Sequence, residues 1–305
     1  MEIGSASMLR PSEVCLPMSN EGPRRRNTSS EFANRYGPWA LVAGASEGIG
    51  EQYARQVAER GLNLVLVARR PEPLQALATD LEKTARVEVR TLPLDLADPA
   101  ASGEIQRATD GLEIGLLVYN AAVSVSGCFV DNPLEDYRRE LEVNCSRPLE
   151  LCHHFARAMV GRGRGGIVLM SSLAGTQGAP FLANYGATKS WNAVFAEGLW
   201  GELRERGVDV LGCRAGATRT PKYLRESGGG SRSALVPEME PAEVVREALA
   251  ALGRQPSVVT GRANRLAAAL MQRILPRKTA VVMMGRASRS VGVGPEPRWD
   301  SGGSR

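Results

Sequence analysis

Histidine is almost missing from this chain, with two residues in 305, and cysteine is sparse at five. The histidines, His153 and His154, stand next to Cys152. Consecutive helix positions project about 100° apart, so these three side chains cannot converge on one ion and no metal site is expected. Cys15, Cys128, Cys145, Cys152 and Cys213 make an odd number with no Cys-x-x-Cys spacing. That argues against a disulfide framework and, with a first segment lacking the apolar run of a secretory signal, fits a reducing cytoplasm. Long apolar stretches are missing too. The longest uncharged run, residues 165–188, is broken by Gly175, Gly178, Pro180 and Asn184, so no membrane span is expected. Excess charge is also small. Of the net +5, residues 1–35 hold +1, residues 286–305 hold +2 and the remaining 250 residues only +2. No phosphate-tracking surface, and hence no nucleic-acid partner, is expected from that spread, and Arg24, Arg25 and Arg26 read as a solvated tail.

What is present is a globular composition, 43% hydrophobic and 23% charged with 33 glycines. Its length suits one large α/β unit or two small domains. Short apolar runs at 39–43, 62–68, 87–92, 114–119, 166–171 and 208–213 alternate with helical stretches near 48–60, 73–84, 99–110, 134–162 and 183–206. This is the pattern of a parallel sheet covered on both faces. Residues 218–237, with Gly228 to Gly230 among Ser and Arg, read as a mobile loop, and Pro241 opens a further helix. A strand near Val258 and a helix over 263–275 complete the core. Residues 1–35 lack apolar periodicity and are expected to be a disordered extension, 36–287 one folded domain, and 288–305 a flexible tail.

Chemistry concentrates at three places. The first strand runs into Gly44-Ala-Ser46-Glu-Gly48-Ile49-Gly50 and then a helix, a turn in which backbone can approach a pyrophosphate held at the helix N-terminus. Ser172 ends the fifth strand, and 13 residues later comes Tyr185-Gly-Ala-Thr-Lys189. Residues four apart share a helix face, so the Lys189 ammonium can lie close to the Tyr185 hydroxyl. A phenol of ordinary pKa about 10 is a poor acid and base at neutral pH, and a neighbouring cation favours its phenolate. With these motifs the chain, from about Gly37 to Gly285, resembles the short-chain dehydrogenase/reductase family, and most of all its 3-oxoacyl and hydroxysteroid reductase branch.

The resemblance implies a single doubly wound Rossmann domain with a mostly parallel sheet of about seven strands. It implies that Tyr185 exchanges a proton with the substrate oxygen, that Ser172 hydrogen-bonds that oxygen, and that Lys189 also holds the nicotinamide ribose. Asn144 looks like the family's helix asparagine that positions a water behind the lysine. Gly44, Ser46, Gly48, Ile49, Gly50, Asn120, Gly216 and Thr218 match the cofactor-binding segments, and Asp95 resembles the adenine-contacting aspartate. The second strand ends in Arg69 and Arg70 where NAD-preferring sites carry an acid, so NADP(H) is the expected cofactor, with Arg69 on the 2′-phosphate. Several positions depart from the family pattern: Ala43 for Thr, Ala122 for Gly, Ala215 for Pro, and Glu47 where NADP-preferring members often carry a base.

The reading is an NADP(H)-dependent oxidoreductase that reduces a ketone or 3-oxoacyl carbonyl on an apolar body to a secondary alcohol. Residues 218–237 and the region of Met283 and Met284 are expected to shape its pocket. A binding protein that senses NADP without turnover is the competing class. Its mark would be a missing Ser, Tyr or Lys, and all three are present. The stripe Trp191, Val194, Phe195 and Leu199 reads as core packing, and the same helix suits the homodimer or homotetramer that the resemblance implies.

Overall fold

Valine, leucine and alanine runs with no polar alternation can be strands only where both faces are covered. The computed structural model describes residues 29–227, 229, 238–290 and 293. Its elements run α1 (Ser29–Tyr36), β1 (Trp39–Ala43), α2 (Gly48–Ala58), β2 (Asn63–Ala68), α3 (Pro71–Ala85), β3 (Val89–Pro93), α4 (Ala101–Ala108), β4 (Ile114–Tyr119), α5 (Leu134–Leu141), α6 (Arg147–Arg162), β5 (Gly165–Ser172), α7 (Ala183–Leu203), β6 (Val208–Ala215), β7 (Ala217–Thr218), α8 (Pro221–Ser227), β8 (Glu238–Met239), α9 (Pro241–Ala251), β9 (Ser257–Val259), α10 (Arg262–Arg273) and α11 (Arg277–Ser290). Seven strands form one parallel sheet in the order β3-β2-β1-β4-β5-β6-β9, and β7 pairs with β8 apart from it. The doubly wound α/β expectation is met.

Alternate strand residues feed two cores. Val42, Leu66 and Val118 point to one face with Tyr53 and Val57 of α2 and Val244 and Ala248 of α9. Leu41, Val67 and Leu117 point to the other with Leu151 and Phe155 of α6 and Ala196 of α7. The chain runs outward from β1 through β2 to β3, then returns to lay β4 on the opposite side of β1. The sheet order therefore reverses between β1 and β4, which opens a crevice beyond their carboxyl ends where such folds bind ligands.

Four expectations are corrected. The boundary at residue 35 falls inside a packed helix: α1 buries Phe32 and Tyr36 in the first core, and Arg35 and the Tyr36 hydroxyl both donate to Asp209 of β6, the latter at 2.7 Å. Only two apolar residues one turn apart carry that face, too few to show a period. The single helix expected over 134–162 is interrupted by a π-helical turn, Glu142–Ser146, between α5 and α6. The first part of the expected loop 218–237 is β7 and then α8, which starts at Pro221 with Tyr223 N–H donating to Thr220 Oγ1 at 3.1 Å. The C-terminal boundary at 287 moves outward because α11 continues to Ser290 and buries Ser288. The α7 stripe divides: Phe195 and Leu199 pack against the second core as expected, whereas Val194 is 63% exposed and Trp191 stacks on Phe195 with ring centroids 4.5 Å apart at the partly covered surface. Residues 1–28, most of 228–237 and most of 291–305, on which the remaining extension, loop and tail expectations fall, lie outside the described residues, as does Cys15.

Candidate active site

The Gly-rich turn lies at the crevice. Gly44 takes φ +82°, the left-handed region, as β1 ends. A Cβ on Gly50 would stand 1.9 Å from Gly44 O, so α2 can begin this close to β1 only with glycine there. Asn120, just past β4, donates from its side chain to Gly44 O at 3.0 Å while its own N–H donates to Ala43 O, which ties the two strand ends across the reversal point. Ser46 and Ile49 are partly exposed on the turn. No side chain caps the first turn of α2, leaving backbone N–H donors at a positive helix end. This is a fit for a pyrophosphate.

Around it the charges are already engaged. Arg70 pairs with Glu47 at 2.8 Å, and Arg225 of α8 reaches the same carboxylate at 3.1 Å. Burial raises the Glu47 carboxyl, but the two guanidinium hydrogen bonds outweigh it and hold the group below its ordinary range. Arg69 is exposed with no ion pair among the described residues, whereas its neighbour is committed to Glu47. At the far side Asp95 accepts from Ala97 N–H at 3.0 Å and from Arg139 of α5 at 2.6 Å. Partial burial works against its charge, and the Arg139 bond wins, so the carboxyl is held low.

The second half of the site is built on α7 and β5. Ser171 and Ser172 face opposite ways, as successive strand residues must. Ser171 is buried and donates to Lys189 O at 2.6 Å, pinning α7 to the strand; Ser172 is partly exposed and accepts from Ala174 N–H at 3.2 Å. Tyr185 lies in the first turn of α7, partly exposed, and the Lys189 Nζ sits 5.7 Å from its ring centroid. Lys189 is 4% exposed and donates to Met170 O at 2.9 Å. Burial pulls its ammonium down from 10.5 to about 8, so it remains charged at neutral pH. Gly216 O accepts from the Thr218 hydroxyl at 3.0 Å, which shapes the bend from β6 into β7 beside this group.

Asn144 occupies the π-helical turn for a visible reason. Its side chain accepts from Val123 N–H at 2.9 Å and donates to Val123 O at 2.8 Å, replacing backbone pairing for the loop after β4, and also donates to Thr188 Oγ1 at 3.0 Å. An extra residue in the helix turn aims it there. Three residues that the sequence did not single out join this network. Thr188 bridges Asn144 and Tyr185 O, and Asn192 donates to Asn144 O at 2.8 Å. Glu140, fully buried, accepts from Val125 N–H at 3.0 Å and from Asn184 at 2.6 Å. Burial raises its carboxyl above the ordinary range. Thr188 and Asn192 continue the i, i+4 face of Tyr185 and Lys189, a signal open to helical-wheel reading; Glu140 reads in sequence as one more charge on a polar helix.

Among the described residues no group of three His, Cys, Asp or Glu side chains could hold a metal, and no helix is long and apolar enough to cross a membrane. The short chain dehydrogenase family profile matches residues 38–226. The 7beta-hydroxysteroid dehydrogenase of Collinsella aerofaciens is 34% identical over 233 residues, which span 76% of this chain and 89% of that protein. The very-long-chain 3-oxoacyl-CoA reductase of Coprinopsis cinerea is 34% identical over 185 residues, 59% of this chain and 54% of the relative. Among solved structures, one from work on 7beta-hydroxysteroid dehydrogenase stereoselectivity superposes with TM-score 0.80 at 31% identity, covering 83% of this chain and 99% of that one. A short-chain dehydrogenase from Sphingobium yanoikuyae in complex with NADPH gives TM-score 0.66 at 35% identity, covering 73% and 87%. A glycine turn at the sheet's reversal point and a Tyr-Lys helix face pinned to a strand ending in serine thus occur in a chain that these proteins match over most of its length, and the chain belongs to the short-chain dehydrogenase/reductase family, in its hydroxysteroid and 3-oxoacyl reductase branch.

Proposed function

We propose that this protein is an NADP(H)-dependent carbonyl reductase in which Tyr185 is the proton donor. The observation that carries the reading is the buried Lys189 ammonium, held one helical turn from Tyr185 on a helix that Ser171 pins to the strand ending in Ser172. The Gly44 to Gly50 turn and the uncapped α2 terminus would receive the pyrophosphate, and Arg69 the 2′-phosphate; Arg70, engaged with Glu47, instead neutralises the carboxylate that would repel that phosphate. Asp95, Asn120, Gly216 and Thr218 would line the remainder of the cofactor groove. When bound, the reduced nicotinamide supplies a hydride to the carbonyl carbon.

The protein's own part is to handle the oxygen. Ser172 donates a hydrogen bond to the carbonyl oxygen and holds it beside Tyr185. As negative charge develops on that oxygen, the Tyr185 hydroxyl delivers its proton, and the Lys189 charge stabilises the phenolate left behind. Asn144, bonded to Val123 and to Thr188, holds the back of this group in register. The substrate class is a ketone or 3-oxoacyl carbonyl on an apolar body, a reading supported by relatives named for hydroxysteroids and very-long-chain 3-oxoacyl-CoA. The exposed Val194 side of α7 would serve a homodimer or homotetramer. The test is Tyr185→Phe, which removes one oxygen. Turnover should fall at least ~10²-fold, the scale of lost acid catalysis, with NADPH affinity retained. Full activity in that variant, followed by the absorbance of the reduced nicotinamide over a ketone panel, would end the proposal.

A further inference from the structure

The segment from Arg262 to Ser290 holds seven cations, Arg262, Arg265, Arg273, Arg277, Lys278, Arg286 and Arg289, and no carboxylate. That is more positive charge than the net +5 of the whole chain. All seven are exposed. Among the described residues only Arg265 has an acidic partner, Glu247 at 2.9 Å. Charge that is spread evenly when counted in long blocks is thus gathered on two consecutive helices.

These helices also leave apolar side chains in water. On α10, Leu266 is 74% exposed, Leu270 39%, and Ile274 just past its end 72%. Their spacing of four places them along one stripe, flanked by Arg262 and Arg273, while Asn264 and Ala268 on the opposite side are buried against the protein. Val282 and Met283 continue the exposed apolar surface on α11, beside Lys278 and Arg286. A long apolar stripe bordered by unpaired cations matches a lipid interface, where leucines enter the acyl boundary and the arginines meet anionic headgroups. A second copy of this chain is a poor match. It would oppose one acid-free basic surface with another.

We propose that α10 and α11 dock the protein on an anionic lipid surface. The docked face adjoins the site. α11 packs on the loop leading into α7: Arg277 donates to Thr176 O at 3.3 Å, Gly285 lies over Pro180, and Arg289 sits 5.0 Å from the Phe181 ring centroid. Docking therefore sets the approach to Tyr185 beside the lipid, the phase in which an apolar ketone is concentrated. That consequence rests on the proposed reductase reading; the docking itself does not.

The experiment is sedimentation of the full chain with vesicles of phosphatidylcholine alone and of phosphatidylcholine with phosphatidylglycerol, with turnover of a water-soluble ketone measured separately. Binding should be at least ~10-fold stronger to the anionic vesicles and fall with added salt, since headgroup attraction decays within a Debye length. The pair Leu266→Gln and Ile274→Gln, and separately the trio Arg262→Gln, Arg273→Gln and Lys278→Gln, should each lose most of that binding while melting temperature and soluble-ketone turnover stay at wild-type values. Two independent variants on exposed positions keep a folding defect from mimicking the result. No binding to either vesicle, or equal binding to both, overturns the proposal. So does a salt-insensitive dimer in sedimentation velocity that the Leu266→Gln and Ile274→Gln pair dissociates, which would assign the face to a second copy, or capture only by an acidic protein.

Discussion

Replacing Lys189 by methionine separates the energetics of the site from its chemistry. The ammonium is buried, and its pKa falls from 10.5 in the unfolded chain to about 8 in the folded one. At about 1.4 kcal/mol for each tenfold in proton affinity, folding carries a penalty of roughly 3 kcal/mol wherever the lysine is charged. The sign follows from proton counting. Below about pH 8 both states hold the proton and the full penalty is present. From there to about pH 10.5 the unfolded chain holds it and the folded chain does not, so stability rises with pH across that window. Methionine is apolar and of similar length, so it carries no such penalty at any pH. It also loses the bond to Met170 O; the part of that bond that depends on the lysine's charge is already contained in the folded pKa, and the rest cancels when the gap between the two proteins is compared at two pH values. Urea unfolding of the cofactor-free proteins should show wild type gaining about 3 kcal/mol on Lys189→Met between about pH 7 and 10.5. Other titrating groups are common to both chains. A gap that does not change with pH would refute the assignment of Lys189 as a buried, charged lysine.

Phe32→Ala should lower stability by about 3–4 kcal/mol, the cost of emptying a core phenylalanine site, and thermal melting would read this as a drop of several degrees or more. Ser172→Ala should cut turnover by ~10²-fold or more, whereas Ser171→Ala should retain turnover and lose about 1 kcal/mol of stability with its bond to Lys189 O; the reverse order in steady-state kinetics would put the wrong serine in the site. Arg69→Ala should weaken NADPH about tenfold or more and leave NADH unchanged in calorimetric titration, and equal losses for both cofactors would remove Arg69 from the 2′-phosphate.

The parts of the site that were legible in sequence are those whose geometry is local. Tyr185 and Lys189 share a helix face by their spacing, and Gly44 to Gly50 must turn sharply to start a helix so near the strand it leaves. Strands β1, β2, β4, β5 and β6 were legible because burial on both faces leaves no polar alternation. What was hidden depends on partners far along the chain. Phe32 and Tyr36 read as isolated aromatics in a polar segment until Asp209 and the first core receive them. Glu140 reads as solvated until Val125 and Asn184 enclose it. The basic surface of α10 and α11 escaped for a different reason: counting charge up to residue 285 and again from 286 divides one helix between two blocks, and the carboxylates elsewhere in the larger block dilute it.

The anchoring of α1 also bears on the order in which the chain can fold as it is made. Arg35 and Tyr36 meet Asp209 across 174 and 173 residues of sequence. At typical synthesis rates of roughly 5–20 residues per second, that separation takes on the order of ten to thirty seconds to emerge. During that interval β1 can already pair with β2 and β4, but the helix that precedes them has no Asp209 to dock on. The first helix among the described residues therefore reaches its final contacts only after β6 has been made. Until β4 and β5, on which α1 also packs, have followed, Phe32 and Tyr36 are exposed aromatic surface, the period in which a ribosome-bound holdase would have most to protect, and the polar anchor waits longer still for Asp209.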